Sequence, residues 1–80
     1  MRVNLKLARV GMNMQEATIA KWHKQPGEHF ANGDVLYEIE TEKVTQEVEA
    51  KHDGTLVAIL VPAGEIAAVG APVCTVEVSS

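Results

Sequence analysis

The chain overlays on itself. Shifted by 37 residues, "ATIAKWHKQPGEHFANGDVLYEIE" (17–40) falls on "GTLVAILVPAGEIAAVGAPVCTVE" (54–77), with six identities: Thr18/Thr55, Gly27/Gly64, Glu28/Glu65, Ala31/Ala68, Gly33/Gly70 and Glu40/Glu77. Apolar residues coincide between them, pairing Ile19 with Leu56, Trp22 with Ile59, Leu36 with Val73 and Ile39 with Val76. Glycines recurring at turn positions argue for two copies of one supersecondary unit. Eighty residues support one core, so both copies must share it. The expected object is a single domain, residues 1–80, with pseudo-two-fold symmetry.

The repeat also decides the type of element. "MQEATIAKWHK" alone is compatible with a short helix, because Gln, Glu, Ala and Lys all tolerate one. Its counterpart "GTLVAIL" is rich in branched residues after a glycine and reads as a strand. Both are therefore strands, each followed by a turn ("QPGE" or "PAGE"), a short extended piece, a second turn ("NGD" or "VGAP") and a further strand. Matched apolar residues stand three apart, which strict alternation does not produce. A β-bulge, or a strand crossing between sheets, accounts for that spacing. The predicted fold is all-β: a flattened barrel or sandwich of two small antiparallel sheets, a barrel-sandwich hybrid.

Composition removes several function classes. Formal charge is −4 and no basic run exceeds two residues, which leaves no surface for tracking nucleic-acid phosphates. The strongest apolar run, 56–61, ends at Pro62 and is too short for a membrane helix. "MRVNLKLARVG" lacks the apolar centre of a secretory signal. A lone cysteine, Cys74, fits a reducing compartment. Cys74 aligns with Tyr37 inside a strand, which suggests a core residue and not a nucleophile. His23, His29 and His52 lack metal-ligand spacing, so no metal is expected. No nucleophile, base and orienting group can be assembled, and no catalytic residue is assigned.

One stretch remains: "EIETEKVTQEVEA" (38–50), in which Lys43 stands among five glutamates. In the first copy the strand ending at Glu40 turns through "TEKV" and returns as "TQEVEA", a hairpin with Lys43 at or beside its tip. The second copy's equivalent strand ends at Glu77. A two-fold axis then puts hairpin and C-terminus at opposite ends of the domain. An exposed hairpin lysine is most often only solubilising or edge-protecting. Alternating glutamates are commonly a solvated face, although their net charge of −4 over 38–49 also suits guidance of protein partners.

These segments resemble a known family. "GMNM", "ATIAKW", "QPGEHFANGDVLYEIETEKVTQEVEA", "DGTLVAILVPAGE" and "VGAPV" follow the order and spacing of the biotinyl/lipoyl carrier domains. The likeness is to lipoyl domains of the acyltransferase components of 2-oxo acid and acetoin dehydrogenase complexes. "EIETEKV" carries the resemblance furthest, since the family's modified lysine lies in such a hairpin and corresponds to Lys43. The resemblance implies covalently attached lipoate on Lys43 and recognition by Glu40, Thr41, Glu42, Val44, Glu47, Met12 and Met14. It implies a non-catalytic swinging-arm module that carries acyl groups and reducing equivalents. The implied partners are a lipoate ligase or lipoyl transferase, a thiamin-diphosphate-dependent dehydrogenase, an acyltransferase catalytic domain and dihydrolipoyl dehydrogenase. It further implies a monomeric domain, a cytoplasmic or mitochondrial-matrix location, and a linker starting at residues 79–80.

This sequence departs from the family at Glu42, where Asp is usual, at Val44 for Ala, at Ala17 for Gly, and at Lys51 and His52 for Ser-Pro. Two other readings stay open: a biotin carrier, whose lysine normally lies between two methionines, and an unmodified interaction domain of the same fold.

Overall fold

A computed structural model describes residues 1–7 and 14–78. It contains eight strands: β1 (Arg2–Lys6), β2 (Glu16–Trp22), β3 (His29–Phe30), β4 (Val35–Glu40), β5 (Thr45–Glu49), β6 (Gly54–Ile59), β7 (Ile66–Ala68) and β8 (Pro72–Val78). They form two four-stranded sheets, β1-β8-β6-β3 and β5-β4-β2-β7, with every pairing antiparallel. Among the described residues no helix is long and apolar enough to cross a membrane.

Exchanging β2 with β6, β3 with β7, β4 with β8 and β1 with β5 turns one sheet order into the other. The pairing register obeys the same exchange. Thr18↔Glu40, Ile19↔Ile39, Lys21↔Glu38 and Trp22↔Tyr37 in one sheet correspond to Thr55↔Glu77, Leu56↔Val76, Ala58↔Thr75 and Ile59↔Cys74 in the other. Each ladder slips once at an equivalent place, between Ile19 and Lys21 or between Leu56 and Ala58. This bulge is what places apolar residues three apart: one extra residue restores Trp22 to the face of Ile19. A second pair of slips, between Val35 and Tyr37 and between Leu5 and Lys6, leaves Leu36 and Val73 as extra inward residues.

The copies interlock. β3 pairs with β6, and β7 pairs with β2, so each copy lends its short strand to the other's sheet. Gly27 N–H donates to the Leu56 carbonyl (2.8 Å), and Gly64 N–H donates to the Ile19 carbonyl (2.7 Å). Gly33 and Gly70 have φ of 94° and 88°, a left-handed conformation that costs a side-chain-bearing residue heavily.

Residues of both sheets meet in one core, including Ile19, Leu36, Tyr37, Ile39, Leu56, Val73, Cys74 and Val76. Cys74 is fully buried, as its alignment with Tyr37 predicts. Trp22 anchors this core, its ring centroid 4.8 Å from that of Tyr37 and its Nε1–H donating to the Val61 carbonyl at 2.9 Å. That bond satisfies the indole's one polar atom, as burial requires.

The same duplication explains Ala17. Its counterpart Gly54 is opposed by Phe30, whose ring would stand 2.9 Å from an added Cβ, with the Glu77 carbonyl oxygen at 2.5 Å. In the first copy Ala17 is opposed by the small Ala67, so a methyl fits. A Cβ at Gly54 would meet the Glu77 backbone carbonyl first and the Phe30 ring second, so glycine is required there.

Candidate functional site

β4 and β5 are joined by Thr41, Glu42, Lys43 and Val44, after the last ladder pair Glu40↔Thr45. Thr41 N–H donates to the Val44 carbonyl at 2.9 Å, closing the turn. Tight two-residue hairpins usually adopt positive φ at their central residues. Here no described non-glycine residue has positive φ. The Thr41 hydroxyl takes over part of the work: Oγ1 accepts the N–H groups of Val44 (3.3 Å) and Lys43 (3.4 Å) and donates to the Val44 carbonyl (3.4 Å). Short side-chain hydroxyls substitute for backbone groups in turns by this route.

Glu42, Lys43 and Val44 are exposed, with Val44 at 53%. Among the described residues no carboxylate is ion-paired with Lys43. Lys43 stands clear of the core, between β4 and β5. At the opposite end of the domain Met1 and Glu77 line an open groove with Asp34, the residue before β4, and Lys43 lies past the far end of that strand. Six residues of strand separate the two ends by about 20 Å. At the terminal end Glu77 is held by the Met1 amino group (3.6 Å) and Arg2 Nε (3.5 Å).

The other residues singled out by sequence divide. Glu40 and Glu47 are exposed on β4 and β5, in the sheet that carries the hairpin. Met14 is 8% exposed and packs in the core. Met12 and residues 79–80 lie outside the described residues. Glu38 is half-buried and bonded to His23, a pairing the sequence did not disclose. His29 is likewise occupied, its Nδ1 2.6 Å from Thr55 Oγ1.

Burial raises the Cys74 thiol from 9.0 to about 11. Tyr37 rises from 10.0 to about 12, through burial first and the neighbouring Cys74 second. Both stay neutral at ordinary pH and belong to the core, not to a reactive site.

A sequence model of the biotin/lipoyl family, described as biotin-requiring enzyme, matches residues 3–76. The chain belongs to this biotin/lipoyl family. It is 44% identical over 64 residues to the dihydrolipoyllysine-residue acetyltransferase component of the pyruvate dehydrogenase complex of Rhizobium meliloti, covering 80% of this chain and 14% of that protein. It is 46% identical over 70 residues to the succinyltransferase component of the 2-oxoglutarate dehydrogenase complex of Rickettsia conorii, covering 88% and 18%. The chain thus spans less than a fifth of these relatives.

Among solved structures, the lipoyl domain of the 2-oxoglutarate dehydrogenase complex from Azotobacter vinelandii matches with TM-score 0.75 at 28% identity, over 98% of this chain and 96% of that one. A single-chain long-chain acyl-CoA carboxylase matches with TM-score 0.81 at 18% identity, over 99% and 7%, a likeness of fold alone. The fold is therefore shared with a lipoyl domain and with a part of a larger carboxylase chain.

Proposed function

We propose that this chain is a lipoyl carrier module, with Lys43 as its attachment residue, in the acyltransferase component of a 2-oxo acid or acetoin dehydrogenase complex. The observation that carries the reading is the isolation of Lys43. It is an exposed amine at a two-residue tip, unpaired among the described residues, on a scaffold whose other strands face a shared core. An attached arm requires an amine with those properties. Amide formation at Nζ removes the positive charge and extends the reach of the long side chain. The lipoyl group, when bound, supplies the acyl-carrying and redox chemistry through its two sulfur atoms. The protein contributes a fixed origin for the arm and a high effective concentration at each partner enzyme.

Lipoate is favoured over biotin by the flanking residues Glu42 and Val44, where a biotin carrier normally has methionines, and by the acyltransferase relatives. The partners follow from that reading: a lipoate ligase or lipoyl transferase, a thiamin-diphosphate-dependent dehydrogenase, an acyltransferase domain and dihydrolipoyl dehydrogenase. Glu40, Glu42 and Glu47, exposed on or beside the hairpin, present a negative field that steers complementary partner surfaces. Thr41 acts by shaping the turn, and Val44 offers an exposed apolar contact beside the lysine.

The test is to incubate the purified chain separately with a lipoate ligase and a biotin ligase, each with ATP and its acid, and record intact mass. One lipoyl adduct with the first and none with the second is expected. A biotinyl adduct alone favours the biotin carrier. No adduct with either favours an unmodified interaction domain.

A further inference from the structure

The outer face of the β5-β4-β2-β7 sheet carries a second group of side chains outside the hairpin. His23 directly follows β2, and its backbone N–H donates to the Leu36 carbonyl at 2.8 Å, which extends the ladder to β4. Glu38, in the middle of β4, is paired across the ladders with Lys21 on one side and Glu47 on the other. His23, Glu38 and Glu47 each bring one ligand atom to within 4.8 Å of the others. His23 Nε2 and Glu38 Oε2 are already 2.5 Å apart.

We propose that His23, Glu38 and Glu47 bind a divalent transition-metal ion, with Zn²⁺ as the best fit. Two features of the register support the site. Its three donors come from neighbouring positions on one sheet, so the backbone fixes their spacing. The register also sets two carboxylates directly opposite each other, an unfavourable arrangement for like charges. Lys21, the other cross-strand neighbour of Glu38, makes no ion pair with it. A dication would satisfy both carboxylates together.

The donor set discriminates among metals. One imidazole nitrogen with two carboxylate oxygens suits zinc and its first-row neighbours, whereas Ca²⁺ and Mg²⁺ favour oxygen-only sets. Zinc bonds of about 2.0–2.2 Å put tetrahedral ligand atoms roughly 3.3 Å apart. Drawing the present donors that close takes about 1.5 Å of side-chain adjustment from the 4.8 Å limit, within reach of rotamer changes in half-exposed residues. Three protein ligands leave a fourth position open to water or an exogenous group. Bound metal replaces the hydrogen bond between His23 and Glu38. It also lowers the negative charge of the ribbon two residues before Glu40, so loading the site weakens the field beside the hairpin.

The test uses the unmodified 80-residue chain titrated with zinc chloride in a calorimeter, and imidazole NMR resonances followed in parallel. One Zn²⁺ per chain should bind and shift the His23 ring signals. His23→Gln and Glu47→Gln alter exposed positions and should each weaken binding by at least about tenfold. His52→Gln and Lys43→Arg should leave it unchanged, which separates this site from any modification of the hairpin. The proposal is overturned by absence of saturable uptake, or by wild-type affinity in either the His23 or the Glu47 variant.

Discussion

Ile39 and Val76 lie at equivalent positions in opposite sheets, at 0% and 1% exposure, paired with Ile19 and Leu56. If both copies enclose one core, truncating either residue destabilises the whole domain. Ile39→Ala removes three carbon groups, about 2.4 kcal/mol at roughly 0.8 kcal/mol each, and the residual cavity raises the expected loss to about 3–4 kcal/mol. Val76→Ala removes two, for about 2–3 kcal/mol on the same reasoning. At roughly 0.05–0.15 kcal/mol per residue, an 80-residue domain has only about 4–12 kcal/mol in total.

Trp22 provides the assay. It is the sole tryptophan, it is buried, and it lies in the sheet opposite Val76. Urea titration followed by its fluorescence should show one transition for each variant, with unchanged slope and a midpoint lowered by about 1–3 M. A Trp22 midpoint that does not move in Val76→Ala would refute the shared core, because the far sheet would then be unfolding separately.

Three further outcomes follow. Thr41→Val removes the hydroxyl that holds the Lys43 and Val44 N–H groups; ligase modification should slow severalfold while stability changes by less than about 1 kcal/mol, and Thr41→Ser should restore the rate. Converting Glu40, Glu42 and Glu47 to Gln should slow reductive acylation by the cognate thiamin enzyme more at low than at high salt, since steering is screened beyond about 10 Å at 0.1 M; equal rates at low salt would leave these residues as a solvated face. Stability should fall as pH rises from 9.0, because the unfolded chain releases the Cys74 proton there while the folded thiol holds it up to about 11, and Tyr37 extends the decline from 10.0 to about 12. Urea titrations across that range should show Cys74→Ala flattening the first part of the fall.

The repeat made most of the fold legible, because matched glycines fix the turns and matched apolar residues fix which strands are equivalent. Even the bulges showed, as the three-residue spacing of Ile19 and Trp22. The hairpin was legible because Glu40 and Glu77 mark the same point in each copy, and the first copy runs on through "TEKV" and returns as "TQEVEA". The burial of Met14 was not legible, because nothing in a loop's local pattern tells whether a methionine turns toward the core. The glycine at 54 became intelligible only through its surroundings, since the Glu77 carbonyl and the Phe30 ring leave no room there for a Cβ. The cluster of His23, Glu38 and Glu47 was hidden for a related reason: metal spacing motifs describe ligands on one local segment, whereas these meet through the register of three strands.

Attachment of the arm at Lys43 is tested most directly by peptide-level mass spectrometry of the chain purified from the cells that naturally make it, beside a Lys43→Arg variant expressed in the same cells. A lipoyl adduct confined to the peptide containing Lys43, and absent from a variant that melts like wild type, is the predicted result. A lipoyl group on Lys24 or Lys51, or a biotinyl group at Lys43, would contradict it.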